Sequence, residues 1–157
     1  MNRIRPVFIL LFTAVALLAS SCVKDAETPE VEYLEVTAHN ISGQWQLVEW
    51  NGAALLEGTY MYMDIVRDER TYTIYQNVDS FENVPHVVTG SYYIETDPQS
   101  GAVIRGNYDH GMGDWAHRYI VKSLTASEMI WMAKDDGTFI QKFRRVDEIP
   151  GVLMLYE

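Results

Sequence analysis

Between Asp109 and His117 the chain runs Asp-His-Gly-Met-Gly-Asp-Trp-Ala-His, which gathers two imidazoles and two carboxylates in one short stretch. Imidazole nitrogen and carboxylate oxygen are donors that zinc and other first-row metals accept, and the glycines would let a loop fold round an ion. The spacing matches no established metal motif, however, and His117 falls in a segment patterned as a strand. Asp135-Asp136-Gly137 carries a second pair of carboxylates. It reads as a hairpin turn, because the later oxygen ligands of a calcium loop do not follow it. The chain has no Gly-x-Ser-x-Gly, no phosphate-cradling glycine loop, and no nucleophile with a base at a workable spacing. These residues predict neither catalysis nor a resident metal or cofactor.

Cys22, the only cysteine, suggests a different chemistry. It follows Arg3 and Arg5, an apolar stretch from Val7 to Leu18 interrupted only by Thr13, and the small residues Ala19, Ser20 and Ser21. That order is the layout of a secretory signal, and the apolar run is too short to span a bilayer comfortably. An ordinary secreted protein with one free thiol would share it. A small-residue cleavage site that ends on a cysteine resembles the lipobox of bacterial lipoproteins. The resemblance implies that residues 1–21 are removed, that the Cys22 thiol is diacylated, and that the new N-terminus is acylated as well. Three acyl chains exceed the two signals needed for stable anchoring, each buried CH2 contributing roughly 0.8 kcal/mol.

The formal charge of the 157 residues is −10, and loss of the signal would remove two of the 12 basic residues and none of the 22 acidic ones. So acidic a chain is not drawn to nucleic acid or to an anionic membrane surface, so membrane attachment rests on lipid. With Cys22 acylated no disulfide is available. A content of 48% hydrophobic and 12% aromatic residues must supply the core of a single domain. Residues 22–40 read as the lipidated cysteine and an acidic spacer, with Asp25, Glu27, Glu30, Glu32 and Glu35 in it and Pro29 discouraging a helix. Lys24-Asp25, with Glu27 close behind, resembles the acidic export signal of some Bacteroidota lipoproteins. This implies an outer-membrane lipoprotein and favours the cell-surface side over the periplasmic side.

From Gly43 onward the pattern is β. Alternation and turn chemistry predict eight strands, at 44–50, 60–67, 71–78, 87–96, 102–108, 115–124, 129–134 and 139–146. Residues 53–59 are expected to form a connector with one helical turn, or a lid. Links this short join antiparallel neighbours, since a parallel pair needs a crossover of about a dozen residues or more. The predicted fold is all-β, an eight-stranded antiparallel up-and-down barrel over residues 41–147, closed so that no edge is exposed. A two-sheet sandwich is the alternative.

Ser42-Gly43-Gln44-Trp45 opens the first strand, and Arg145 closes the last on the same face as Phe139, Gln141 and Phe143. Gly-x-Trp at strand one with an inward arginine at strand eight resembles the lipocalins and their calycin relatives, and the whole looks like the lipocalin-like lipoproteins of Bacteroidota. The resemblance implies that Gly43, Trp45 and Arg145 form a structural cap, the guanidinium packing across the indole at the closed end of the barrel. It departs from true lipocalins in its shorter barrel and in having no C-terminal helix. Residues 148–157 form instead a tail whose apolar end is expected to add an edge strand or to cap the barrel.

Alternation predicts an inward set of Trp45, Leu47, Met61, Met63, Ile65, Tyr72, Ile74, Tyr92, Ile94, Tyr119, Val121, Met129, Trp131, Phe139 and Phe143. Their bulk favours a packed interior. The other reading is a shallow pocket at the open end, with Tyr62, Tyr92, Tyr119, Trp131 and Phe139 as candidate ligand-lining residues. Trp50, Tyr60, Tyr75, Tyr93 and Tyr108 fall on the outer parity or near strand ends. The expected function is that of a monomeric, lipid-anchored binding protein for a small apolar or amphipathic ligand in the barrel mouth. The alternative is a surface module that binds a glycan or a partner protein through its outer aromatics.

Overall fold

A computed structural model describes residues 30–156. The expectations for the signal segment and for Cys22 lie outside these residues. Nine strands follow one another: β1 Gly43–Trp50, β2 Ala53–Ala54, β3 Met61–Val66, β4 Thr71–Gln76, β5 His86–Asp97, β6 Gly101–Tyr108, β7 Tyr119–Leu124, β8 Glu128–Ala133 and β9 Ile140–Val146. Each pairs antiparallel with its sequence neighbour from β3 to β9; β1 pairs with β3 on one side and with β9 on the other. The result is a closed eight-strand barrel, with β2 added to the edge of β1 as a two-residue flap. Asn51 and Gly52 both adopt positive φ, as the tight turn of a short hairpin requires. Part of the expected 53–59 connector is therefore strand.

The hydrophobic alternation in β3, β4, β8 and β9 is what turns their apolar side chains to a single interior. Met63, Ile65, Tyr72, Met129, Trp131 and Phe143 are all buried there, together with Tyr92 of β5. Trp50 is an exception to the predicted parity. A register shift between Leu47 and Glu49 leaves Val48 as an extra residue on β1, and Trp50 pairs with the inward-facing Gln141. The bulge reverses the alternation and turns the indole to the interior side.

Three other expectations are corrected. The sixth strand starts at Tyr119, not at residue 115, because residues 109–118 fold back along β6 instead of pairing with β8. Asp114 bridges to Asn107, and the Trp115 amide donates to the Gly106 carbonyl. The end of the expected spacer packs on the barrel: Leu34 and Val36 lie against the core, Ala38 is buried, and the Leu34 amide donates to the Leu124 carbonyl. Acidic neighbours masked the alternation of Leu34, Val36 and Ala38. Of the two alternatives for the C-terminal tail, the edge strand does not form: Gly151–Tyr156 is a 3-10 helix, preceded by the fully buried Ile149, whose amide donates to Gln44 Oε1.

Candidate binding site at the open end of the barrel

One end of the barrel is closed by side chains from both termini of the sheet. Trp45 is fully buried, and its indole N–H donates to the Ile41 carbonyl at 2.8 Å. Ile41 ends the short helix α1 (Ala38–Ile41), whose first turn is capped by Thr37. Above the indole lies Arg145, its guanidinium carbon 4.1 Å from the ring centroid. The guanidinium also donates to the carbonyls of Ser42 (2.6 Å), Asn40 (2.8 Å) and Ala126 (2.8 Å). No carboxylate among the described residues takes part, and burial draws its pKa below the ordinary arginine value. Gly43 is needed twice over: its φ is +110°, and a Cβ there would stand 2.7 Å from Arg145 Nη1. Gly43, Trp45 and Arg145 thus meet at one place.

The middle of the barrel is filled with rings. Tyr72 and Trp115 pack closely on β5 and β6, where two mid-strand glycines leave room for them. A Cβ at Gly106 would stand 2.4 Å from Trp115 Cε2, and one at Gly90 would stand 2.5 Å from the Tyr72 hydroxyl. The Trp115 indole N–H donates to the Tyr72 oxygen at 2.7 Å, and the Tyr72 hydroxyl donates to the Asn107 carbonyl at 3.2 Å. Trp131 stands between Phe143 (4.9 Å between centroids), Tyr119 (5.4 Å) and Trp115 (5.9 Å). Sequence alone missed this role of Trp115. The available signal was a glycine in the interior of a strand, which marks close approach by something bulky.

Above the rings the barrel opens. Between the ends of β1, β3, β4 and β7 lies a cavity of about 140 Å³ whose walls are Trp50, Met61, Ile74, Val88, Trp115 and Tyr119, with Tyr108, Gln76, Asp79 and Gln141 supplying polar atoms. It adjoins a shallower hollow of about 300 Å³ that shares Gln76, Asp79, Val88 and Tyr108 and adds Met112. Gln76 is engaged, its amide donating to Asp79 at 2.8 Å, and Asp79 pairs in turn with His86 at 3.2 Å. Gln141 is 95% buried, and its carboxamide has no hydrogen-bond partner among the described residues. Of the candidate lining residues, Tyr119 borders the cavity. Trp131 backs it from below, and Phe139 stands at the rim, 5.4 Å from Trp50 and 6.2 Å from Tyr119 between centroids. Tyr92 does not belong to it, since its ring lies deep in the core beside Arg70 of the β3–β4 turn. Tyr62 is on the outer face, next to Tyr60, because Met61 and Met63 take the inward positions of β3.

Burial lifts the Tyr119 phenol to about 12, and it lifts Tyr72 to about 12 against the opposing pull of the Trp115 N–H. Both therefore stay protonated at neutral pH. A phenol raised above its ordinary value of 10 favours the folded state fully below pH 10 and loses that contribution as pH rises toward 12. In an alkaline titration followed by phenolate absorbance, these two of the ten tyrosines are expected to ionise last, together with unfolding. Reversible ionisation of all ten near pH 10 in the folded protein would contradict the burial argument.

The remaining candidates disperse. Asp109 accepts from Thr89 at 2.7 Å, while His117 turns to Asp135 at 2.9 Å and stacks on Phe139. Among the described residues, no three His, Cys, Asp or Glu side chains converge as metal ligands. A cleft of about 380 Å³ on the far side of Trp115 is lined by Arg105, Arg118, Lys134, Asp114 and Asp135. Much of its charge is already matched, Lys134 pairing with Asp97 and Arg105 with Glu95. Of the five outer aromatics only Tyr93 is exposed; Tyr75 is buried, and Trp50 and Tyr108 face the mouth. Comparison with family models, with curated proteins and with solved structures finds no match to this chain.

Proposed function

We propose that this chain is a lipid-anchored binding protein of the bacterial outer envelope that holds a small amphipathic ligand in the mouth of its barrel. One observation carries the reading: the open end has apolar and aromatic walls round a few convergent polar groups, which is the composition of a small-molecule site. The rim supports it. Leu56, Phe81, Val84 and Met112 stand exposed on the loops at that end, Phe81 at 95%, and offer an apolar approach to the opening. The likeness of the Gly43–Trp45–Arg145 cap to that of the lipocalins, which carry ligands in such barrels, points the same way. Among the described residues of the mouth no nucleophile stands paired with a base, and the reading favours binding over catalysis.

Native mass spectrometry of the full chain, purified from its own host without denaturation, tests the ligand. A discrete low-mass adduct that is released on unfolding is expected; a single ligand-free mass from several growth conditions would contradict the reading. The anchor has a separate test. Cys22→Ser is expected to move the protein to the soluble fraction and to abolish incorporation of labelled fatty acid. Unchanged membrane association would refute acylation at Cys22.

A further inference from the structure

Gln141 is the anomaly of the mouth. It occupies an inward position of β9, between Trp131 of β8 and Trp50 of β1 in register, while its neighbour Lys142 faces outward to Glu49 and Glu128. Its side chain borders the cavity and is 95% buried, yet no described residue hydrogen-bonds to it. Its amide atoms are not among the fully enclosed polar atoms of the described residues that lack a partner, which are the Tyr92 hydroxyl, Asn107 Oδ1 and Trp131 Nε1, so the carboxamide keeps access to the open cavity. No hydrogen bond within the described residues uses this carboxamide, and it is presented to whatever enters.

Four features restrict what that is. The deep cavity, about 140 Å³, is close in size to a cavity of ~150 Å³ known to accept benzene, so its depth has room for a single ring. Trp50, Trp115 and Tyr119 give that ring aromatic faces to pack against. A carboxamide both donates and accepts, so its full complement is a group with an N–H and a C=O side by side. Asp79 on the wall opposes an anion, and the Tyr119 phenol, un-ionised at neutral pH, adds no negative charge.

We propose that the mouth cavity binds a neutral single ring bearing an amide edge, of the benzamide or pyrimidinone class, with Gln141 pairing that edge and the aromatic walls holding the ring. This rests on the mouth being the binding site. Benzamide and toluene, which share a ring and differ in the polar edge, separate the two claims.

The full chain and its Gln141→Leu variant are titrated with each probe by NMR. Wild type is expected to bind benzamide about tenfold or more tightly than toluene, since one hydrogen-bonding group is at stake. Gln141→Leu is expected to lose that preference while keeping toluene. It is also expected to melt no lower than wild type, and Gln141→Met serves as a second, straight-chain replacement should leucine not fit. Equal binding of the two probes by wild type, or an unchanged preference in the variants, would overturn the role of Gln141 and leave the mouth as the site. Failure of wild type to bind either probe would overturn the mouth reading itself. A marked loss of stability in both variants would show that the carboxamide serves the fold, and would also overturn the proposal.

Discussion

Replacing Trp45 with alanine is expected to cost about 3–5 kcal/mol of unfolding free energy, a large part of the 5–15 kcal/mol typical of a domain. The side chain is fully buried, and it also joins α1, through Ile41, and β1, through its own backbone, to the sequence-distant β9 through Arg145. Removing it leaves a cavity and strands the Arg145 guanidinium with its carbonyl partners but no ring beneath it. Arg145→Lys is expected to fall in the same direction, because one ammonium cannot serve the carbonyls of Ser42, Asn40 and Ala126 together. Denaturant unfolding of both variants measures this. A loss under about 1 kcal/mol for Trp45→Ala would mean that the closed end does not hold the barrel.

Gly106→Ala is expected to have the second large effect, though it adds a single methyl group. That carbon would stand 2.4 Å from Cε2 and 2.6 Å from Cζ2 of Trp115, and 2.9 Å from the Ser91 carbonyl. The indole has Trp131 and Tyr119 beside it, so it must leave the barrel, giving up its bond to Tyr72 and its ring contacts. A loss of about 3 kcal/mol or more is expected, comparable to deleting a large buried aromatic side chain. Tryptophan fluorescence should shift to longer wavelength as Trp115 meets water. A double-mutant cycle identifies the cause: in the Gly106→Ala background, Trp115→Ala should cost little more, because the two changes break the same packing. Full additivity would show that Trp115 is not what the glycine makes room for. Trp115→Ala alone should enlarge the mouth cavity, since the ring forms part of its wall.

Much of this barrel could be read in the chain because its strands obey a period of two. Met61-x-Met63-x-Ile65 and Phe139-x-Gln141-x-Phe143-x-Arg145 state their inward faces without ambiguity, and short turns force antiparallel order. Parity also carried Arg145 inward, while its meeting with Gly43 and Trp45 was expected from the resemblance to the lipocalins. Trp50 was not legible. The bulge at Val48 belongs to the closure of the sheet, and one extra residue inverts every later position of that strand. Trp115 was hidden differently, in a segment with good strand propensity that a tertiary contact with Gly106 and Tyr72 pulls into the barrel. Gln141 was visible as an inward residue. Its lack of a partner could emerge only when the neighbouring strands were in place.

The claim that the mouth is a ligand site is tested most directly by NMR of the full chain labelled at its methionine methyl groups. Met61 borders the deep cavity and Met112 the outer hollow, while Met63 and Met129 lie buried in the core and Met154 in the C-terminal 3-10 helix. On titration with benzamide, the Met61 resonance should move and saturate, with Met112 following more weakly, while Met63, Met129 and Met154 stay in place. Movement confined to Met154, or no movement of Met61 at saturating benzamide, would contradict the account.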